Sequence, residues 1–489
     1  MSEHENEKHA SNVLVDSEGS SHGQESTQAP YWSPEQEKRL VRRIDIAIMP
    51  LLILGFAVLQ LDRSNIGNAM TDNFMKEVGI TQFEYNVGNQ LMYLGIVLFE
   101  IPSNLVLYKV GPAIWIGFQI VAWGMDMVHT LQRGSFLGFD FQRICECGYI
   151  PAGLYTMTRF YKKDEISKRF AVFFLGNMVA NAGAGLLAFG ILRMRGIANL
   201  SGWQWLFLYW QLTVTQQLEG MLTIVIAVLF ITLFPRSTSN PVSLAGLRLF
   251  TEEEAHIITQ RVLLDDPTKK HAHTHVSREE LKAVFTNWKL IAHVMTTLGS
   301  LSAIASLASF GPSIVASYGY KAVEANAMNS IGYWILIPVT LFWGWAADKW
   351  GKCGPMVMFG TFISFVFLIA QRCIAETDKV TAKYAIITVV YAFSFNWHPI
   401  NGSWMALNAK SAGERSITMA ILIMAANASG IVGGQIFQAS DAPNYKVGWS
   451  VSVALSCIGF VSSVVANVQY WKLNRLNKKK GNTGFVYHP

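Results

Sequence analysis

An aspartate and an arginine stand side by side in Leu61-Asp62-Arg63-Ser64-Asn65-Ile66-Gly67-Asn68-Ala69, at the end of an apolar run over residues 44–61. At 1.5 Å of rise per residue, that run is long enough to cross a bilayer core. Charges in such a place pair with each other, line a cavity or anchor at the interface, because hydrocarbon expels a lone ion. Two further acids, Glu100 and Glu146, fall inside apolar runs, where ionisable side chains mark ion and substrate paths by default. Arg143 lies one turn before Glu146, so a structural ion pair competes with a transport role. Glu100 has Pro102, Ser103 and Asn104 beside it, and structure and transport are equally open there. Asp126 and His129 share a helix face and read as local partners.

Other chemistry is poorly supported. His271, His273 and His275 alternate in a polar stretch with no fourth ligand, which points to a solvated tract, and no metal is expected. The chain contains no His-Glu-x-x-His and no Walker A pattern, so neither a zincin nor an ATP-driven pump is indicated. An enzyme is not expected, nor any cofactor; a proton gradient is the expected driving force. Cys145 and Cys147 point to different helix faces, and with Cys353, Cys373 and Cys457 they read as packing residues.

The elements that must position these groups are membrane spans. Only 15% of the 489 residues are charged and 51% are hydrophobic, with a mean hydropathy of +0.28. Soluble domains carry roughly 25% charged residues. The net charge of +6 is too small to argue for nucleic acid, and much of the basic charge flanks apolar runs. After 44–61, apolar spans fall at about 86–108, 112–131, 136–158, 170–192, 203–234, 289–311, 326–346, 354–372, 384–406, 416–437 and 449–471. The expected fold is an all-α membrane protein with twelve transmembrane helices in two six-helix bundles. Its parts are a disordered cytosolic tail (1–40), an N-terminal bundle (41–234), a linker (235–288), a C-terminal bundle (289–472) and a cytosolic tail (473–489). Thr251-Glu252-Glu253-Glu254 and Ser277-Arg278-Glu279-Glu280 in the linker are capping boxes that predict short surface helices.

Loop charges orient the chain. Arg159, Lys162, Lys163, Lys168 and Arg169 crowd between the fourth and fifth spans, and Lys349 and Lys352 follow the eighth. Arg133 and Lys321 stand alone in alternate loops, with Arg193 and Arg195 as exceptions. Both termini are therefore expected in the cytosol, in the cell membrane or a vacuolar or other internal one. Asn199-Leu200-Ser201 would then be the one sequon on the far side outside a span, which makes Asn199 the expected glycosylation site; those at Asn401 and Asn427 lie within spans.

The motifs carry a resemblance. The run 61–69, Glu100-Ile101-Pro102-Ser103-Asn104, the stretch from Glu146 through Tyr161-Lys162-Lys163 to Ser167-Lys168-Arg169, and 344–351 with Asp348-Lys349 are similar to signatures of the anion:cation symporter branch of the major facilitator superfamily. Trp397-His398-Pro399-Ile400-Asn401-Gly402-Ser403-Trp404 and Glu414-Arg415-Ser416 resemble the fungal allantoate permease family within it. The resemblance spans about 35–475. It implies proton-coupled uptake of a small organic anion such as a ureide, a vitamin-type carboxylate or a sulfur compound. It implies a monomer in the lipid bilayer, with Asp62, Glu146 and Glu100 handling protons. Arg63 and Arg143 would hold the anion, and Asn177, Asn181, Trp397, His398 and Asn401 would line its site. An exporter of a fungal metabolite is the competing function, and a non-transporting nutrient sensor a third.

Two departures stand out. The family's arginine seven residues before the fourth-span glutamate is Phe139 here, so Arg143 either replaces it or only partners Glu146. Nine additional residues, 209–217, lengthen the sixth span to about 48 Å if fully helical. An external excursion, or an error in the chain, is expected there.

Overall fold

The computed structural model describes residues 31–72, 74–133, 146–197, 200–208, 214–269, 276–479 and 486–488. Among these the protein is helical throughout, with two isolated β-bridges in the linker, Pro235 with Ser243 and Val242 with Arg248. The first half contains α1 (Pro34–Ala69), α2 (Gln82–Val110), α3 (Pro112–Arg133), α4 (Tyr149–Phe160), α5 (Ile166–Phe173), α6 (Leu175–Ile191) and α7 (Val214–Leu233). The linker carries α8 (Glu252–Asp265) and α9 (Arg278–Phe285). The second half contains α10 (Lys289–Ser317), α11 (Ala322–Trp350), α12 (Cys353–Ile374), α13 (Val380–Phe393), α14 (His398–Leu407), α15 (Ala412–Gly433) and α16 (Lys446–Lys479).

Eight described segments are long and apolar enough to cross a membrane: α1, α2, α5 with α6, α10, α11, α12, α15 and α16. α3 and α7 are shorter apolar helices, α4 follows the undescribed residues 134–145, and α13 with α14 forms one broken crossing. The fold thus has twelve spans, six on each side of the linker. Gln82 and Gly351 show why helices start and stop where they do. Thr81 closes a capping box with Glu84 ahead of α2, and Gly351 ends α11 at φ 60°, a left-handed position suited to glycine. Both linker capping boxes form, on Thr251 with Glu254 and on Ser277 with Glu280.

Several boundaries differ from the hydropathy reading. α1 begins at Pro34 within the expected tail, because Trp32 is buried and donates its indole N–H to Glu37 at 3.0 Å. α16 runs on to Lys479, and Tyr487 returns to pack on Tyr470. Asn408 clasps His488 through both backbone groups, at 2.8 and 3.2 Å. In the sixth span a short helix, Gly202–Leu208, precedes α7, which starts at Val214; residues 209–213 lie outside the described residues. Of the expected excursion over 209–217, residues 209–213 thus lie outside the described residues, and 214–217 form the first turn of α7.

Glycines set how closely the helices approach. α6 packs on α1 on one side and on α11 of the other half on the opposite side. A Cβ on Gly176 would lie 2.5 Å from the Ile53 carbonyl oxygen, and one on Gly185 would lie 2.9 Å from that of Asn326. A Cβ on Gly183 would meet nothing within 4 Å. Gly176→Leu is therefore expected to lower the thermal midpoint of the purified protein, by about 1–3 kcal/mol or more of strain. Gly183→Leu should leave the midpoint unchanged, and equal loss in both would overturn this account of the α1–α6 contact.

The linker is docked. Lys269 is buried and donates from Nζ to the Tyr161 carbonyl at 3.0 Å. Burial lowers its pKa to about 7; Arg415 pushes the same way, and Asp266 and Asp265 pull against it. Above pH 7 the folded chain has released this proton, whereas the unfolded chain holds it to about pH 10.4. The unfolded state then binds more protons, so stability rises with pH across that window, by up to about 1.4 kcal/mol per unit. Lys269→Met should flatten the rise in melting temperature between pH 7 and 9.5; an unchanged slope would place the titration elsewhere.

Candidate functional site

A cavity of about 210 Å³ lies between the two halves. That is below the roughly 300–1,000 Å³ of drug-sized pockets, so it suits a small molecule. Arg63 from α1 lines it, with Gln60 one turn earlier on the same helix. Tyr85, Asn89 and Tyr93 on α2, spaced four apart, face it together. The second half supplies His398, Ser394 and Asn427. The first-half wall therefore carries a cation, and the facing wall carries an imidazole and small polar groups.

Arg63 is not alone. Its Nε and Nη2 both donate to Oε2 of Glu146, at 3.1 and 3.0 Å. Glu146 is buried behind Arg63, so the guanidinium stands between the cavity and the carboxylate. The Asp62 side chain lies outside the described residues, as do Arg143, Asn199, His271, His273, His275 and the side chains of Asp126 and His129. Glu100 is buried close by, with Arg63 as the charge acting on it. Neither of its carboxylate oxygens has a hydrogen-bond partner among the described residues.

Asn177 and Asn181 line the cavity as one unit. Asn177 Oδ1 accepts from Gln60 Nε2 at 2.7 Å and from Asn181 Nδ2 at 2.6 Å. The Gln60 contact joins α1 to α6. Gln60 was not singled out from the sequence, although its place one turn before Arg63 on an apolar helix is the signal that would have found it.

The candidate residues of the tenth span divide. His398 reaches the cavity, with Phe395 and Phe174 against its ring at 4.8 and 5.3 Å between centroids. Its Nδ1 is buried without a hydrogen-bond partner among the described residues. Trp397 and Asn401 are expected from the sequence to line the site, but they are buried away from the cavity. Trp397 Nε1 donates to the Ser394 carbonyl at 3.1 Å, which tightens the break between α13 and α14. Asn401 bonds His293 Nδ1 at 2.7 Å through Oδ1 and donates to Thr297 Oγ1 at 3.1 Å. Trp397 precedes α14, and Asn401, one turn after His398, is held by His293 and Thr297. His293, which also contacts the Tyr470 hydroxyl at 3.1 Å, is a buried core histidine that hydropathy and spacing do not single out.

The halves are hydrogen-bonded to each other at both ends of the cavity. On the linker side, Asp348 of α11 accepts from the backbone N–H groups of Ser167 and Lys168 at 3.0 and 2.8 Å, an acid at the first turn of α5. Ser416 donates to Asn104 at 3.0 Å nearby. On the opposite side, Asn326 donates to Thr71 at 2.9 Å and Gln82 to the Phe437 carbonyl at 3.1 Å. Apolar packing accompanies these bonds: Phe174 of the first half meets Phe395 and His398 of the second at 5.3 Å between ring centroids.

Comparisons with known proteins agree with this geometry. Residues 52–434 match the profile of the Major Facilitator Superfamily. MFS-type transporter cnsO of Penicillium expansum is 25% identical over 92% of this chain and 86% of its own. The uncharacterized transporter YIL166C of Saccharomyces cerevisiae is 27% identical over 92% and 83%. Among solved structures, the proton:xylose symporter XylE superposes with a TM-score of 0.67 at 13% identity, covering 87% of this chain and 95% of its own. The E. coli fucose:proton symporter FucP gives 0.56 at 12%, covering 86% and 99%. At those identities the two structures speak for the fold alone.

Proposed function

The chain belongs to the Major Facilitator Superfamily and is a secondary transporter, and on that premise we propose that it imports a small organic anion together with a proton. The observation that carries this reading is Arg63, which faces the cavity while donating twice to the buried Glu146. Arg63 and Glu146 together are neutral. An anion that binds Arg63 leaves one uncompensated negative charge in a poorly solvated site, which costs several kcal/mol. A proton on Glu146 removes that charge. Anion and proton then load together and leave together, and neither occupies the site cheaply without the other.

The planar guanidinium matches a carboxylate or a sulfur oxyanion better than an ammonium group would. His398 across the cavity offers its imidazole to the other end of the substrate, and the Gln60–Asn177–Asn181 set supplies amide donors. These favour a ureide or a vitamin-type carboxylate over a bare inorganic anion. The basic loops on the linker side favour a cytosolic linker and tails, and hence a multi-pass protein of the cell membrane or a vacuolar one. The fungal transporters it resembles support the allantoate permease branch only as relatives of the same superfamily.

Proteoliposomes with an imposed pH gradient test the reading. Acid outside should drive uptake of a labelled ureide or pyridine carboxylate above equilibrium, and a protonophore should stop accumulation. Equal uptake with and without the gradient would sink proton coupling; accumulation driven by a gradient of the reverse sign would make it an exporter.

A further inference from the structure

A second cleft opens on the linker side, away from the central cavity. It has a volume of about 250 Å³ and lies where the end of α2, the start of α3, the end of α4 and the first linker residues meet. Three basic side chains line it, Lys109, Arg159 and Arg236, and no acid does. Arg159 donates to the backbone carbonyl of Lys269 at 3.3 Å and lies against the Tyr155 hydroxyl, and Arg236 donates to the backbone carbonyl of Leu244 at 3.4 Å. None of the three has an acidic partner among the described residues, whereas Arg43, Arg169, Arg195, Arg261 and Arg415 all do.

Two independent features point the same way. The 22-residue α3 begins in the cleft, at Gly111-Pro112, so its positive dipole end lies at the space between the cations. Tyr108, buried in the lining of the cleft beside Tyr155, has a hydroxyl with no geometrically sound hydrogen bond among the described residues. Beside the cleft, Leu105, Val106, Val110 and Ile114 form an exposed apolar strip on α2 and α3. An apolar strip running from a basic cleft at the end of membrane spans is shaped for a head group with acyl chains attached.

We propose that this cleft binds a phosphate monoester group, carried by an anionic phospholipid of the leaflet on the linker side. The phosphate would sit between Lys109, Arg159 and Arg236 at the start of α3, with the acyl chains along Val106 and Ile114. The site is separate from the transport cavity: Arg63 and Glu146 take no part in it. Occupancy would brace α2, α3 and α4 against the first linker residues, Arg236 to Thr238.

The test uses the full-length protein in detergent, titrated with phosphatidylinositol 4-phosphate, phosphatidylcholine and soluble inositol 1,4-bisphosphate, with retained ligand counted by native mass spectrometry. The phosphorylated lipid should be retained in preference to phosphatidylcholine. Lys109→Gln with Arg236→Gln should lower that retention by roughly ten- to thirty-fold, as expected for two charges near a membrane surface. Both side chains are exposed, so this neutral pair leaves folding intact, which an unchanged melting curve without lipid checks. Equal retention of the lipid by wild type and variant would overturn the proposal. Soluble inositol bisphosphate that displaces the lipid at equal concentration would overturn the lipid assignment and leave a site for a free phosphate ester.

Discussion

Glu146→Gln is expected to end gradient-driven accumulation while sparing exchange of substrate already bound. Glutamine keeps the size of the side chain and one oxygen for Arg63, whose Nε and Nη2 now meet Oε2 at 3.1 and 3.0 Å. It cannot take up a proton. With one proton per anion, a gradient of one pH unit supplies about 1.36 kcal/mol, and so about tenfold accumulation. The variant should settle at a ratio of one with the same gradient applied. Counterflow, which needs no net proton movement, should continue. Arg63→Lys has the opposite signature: the charge remains, but the planar fork that bridges cavity and carboxylate is gone. Loss of a charge-assisted hydrogen bond corresponds to roughly ten- to hundredfold weaker binding. Both uptake and counterflow should then fall together at low substrate concentration. Undiminished accumulation by Glu146→Gln would move the proton elsewhere, and Glu100→Gln in the same assay would show whether that second buried acid carries it.

The spans were legible because hydropathy is a local property, read over about twenty residues. The linker helices were legible for the same reason, since Thr251 with Glu254 and Ser277 with Glu280 are three residues apart and cap their own helices. Glu146 and Arg63 each stood out singly, as ionisable groups at apolar runs. Their pairing did not. They lie on helices 83 residues apart in sequence, and no periodicity links them. The stretch 397–401 misled: its side chains are close enough on a helix to share a face, but Trp397 stands before α14 and Asn401 is taken up by His293, which leaves His398 at the cavity. Tyr85, Asn89 and Tyr93 were readable but unread, a polar stripe at four-residue spacing on a hydrophobic helix. What no local rule supplies is which of many buried polar groups faces an internal space, because that depends on how two bundles meet.

Asp266→Ala is expected to destabilise the protein more than any surface change and to loosen its linker side. Consecutive linker acids hold different halves. Asp265 accepts from the Lys163 backbone N–H at 2.8 Å in the first half, and Asp266 accepts from Arg415 Nη2 at 2.7 Å in the second. Arg415 also donates from Nε to the Ala406 carbonyl at 3.0 Å, which ties the end of α14 to α15. Both members of the Asp266–Arg415 pair are buried, so removing one leaves a charge without its counterion and costs about 3–5 kcal/mol. Asp266→Leu combined with Arg415→Met should recover much of that loss, because no stranded charge remains. Cys353 reports on the opening. Its thiol is buried between the halves, 3.7 Å from the hydroxyls of Ser167 and Ser403. In a background with the other cysteines changed to serine, a maleimide should label Cys353 faster in Asp266→Ala than in the parent. The double variant should show the same fast labelling at near-parental stability, since it restores packing without restoring the strap between halves. A stable Asp266→Ala protein with unchanged labelling would mean that the linker rides on the bundles without holding them together.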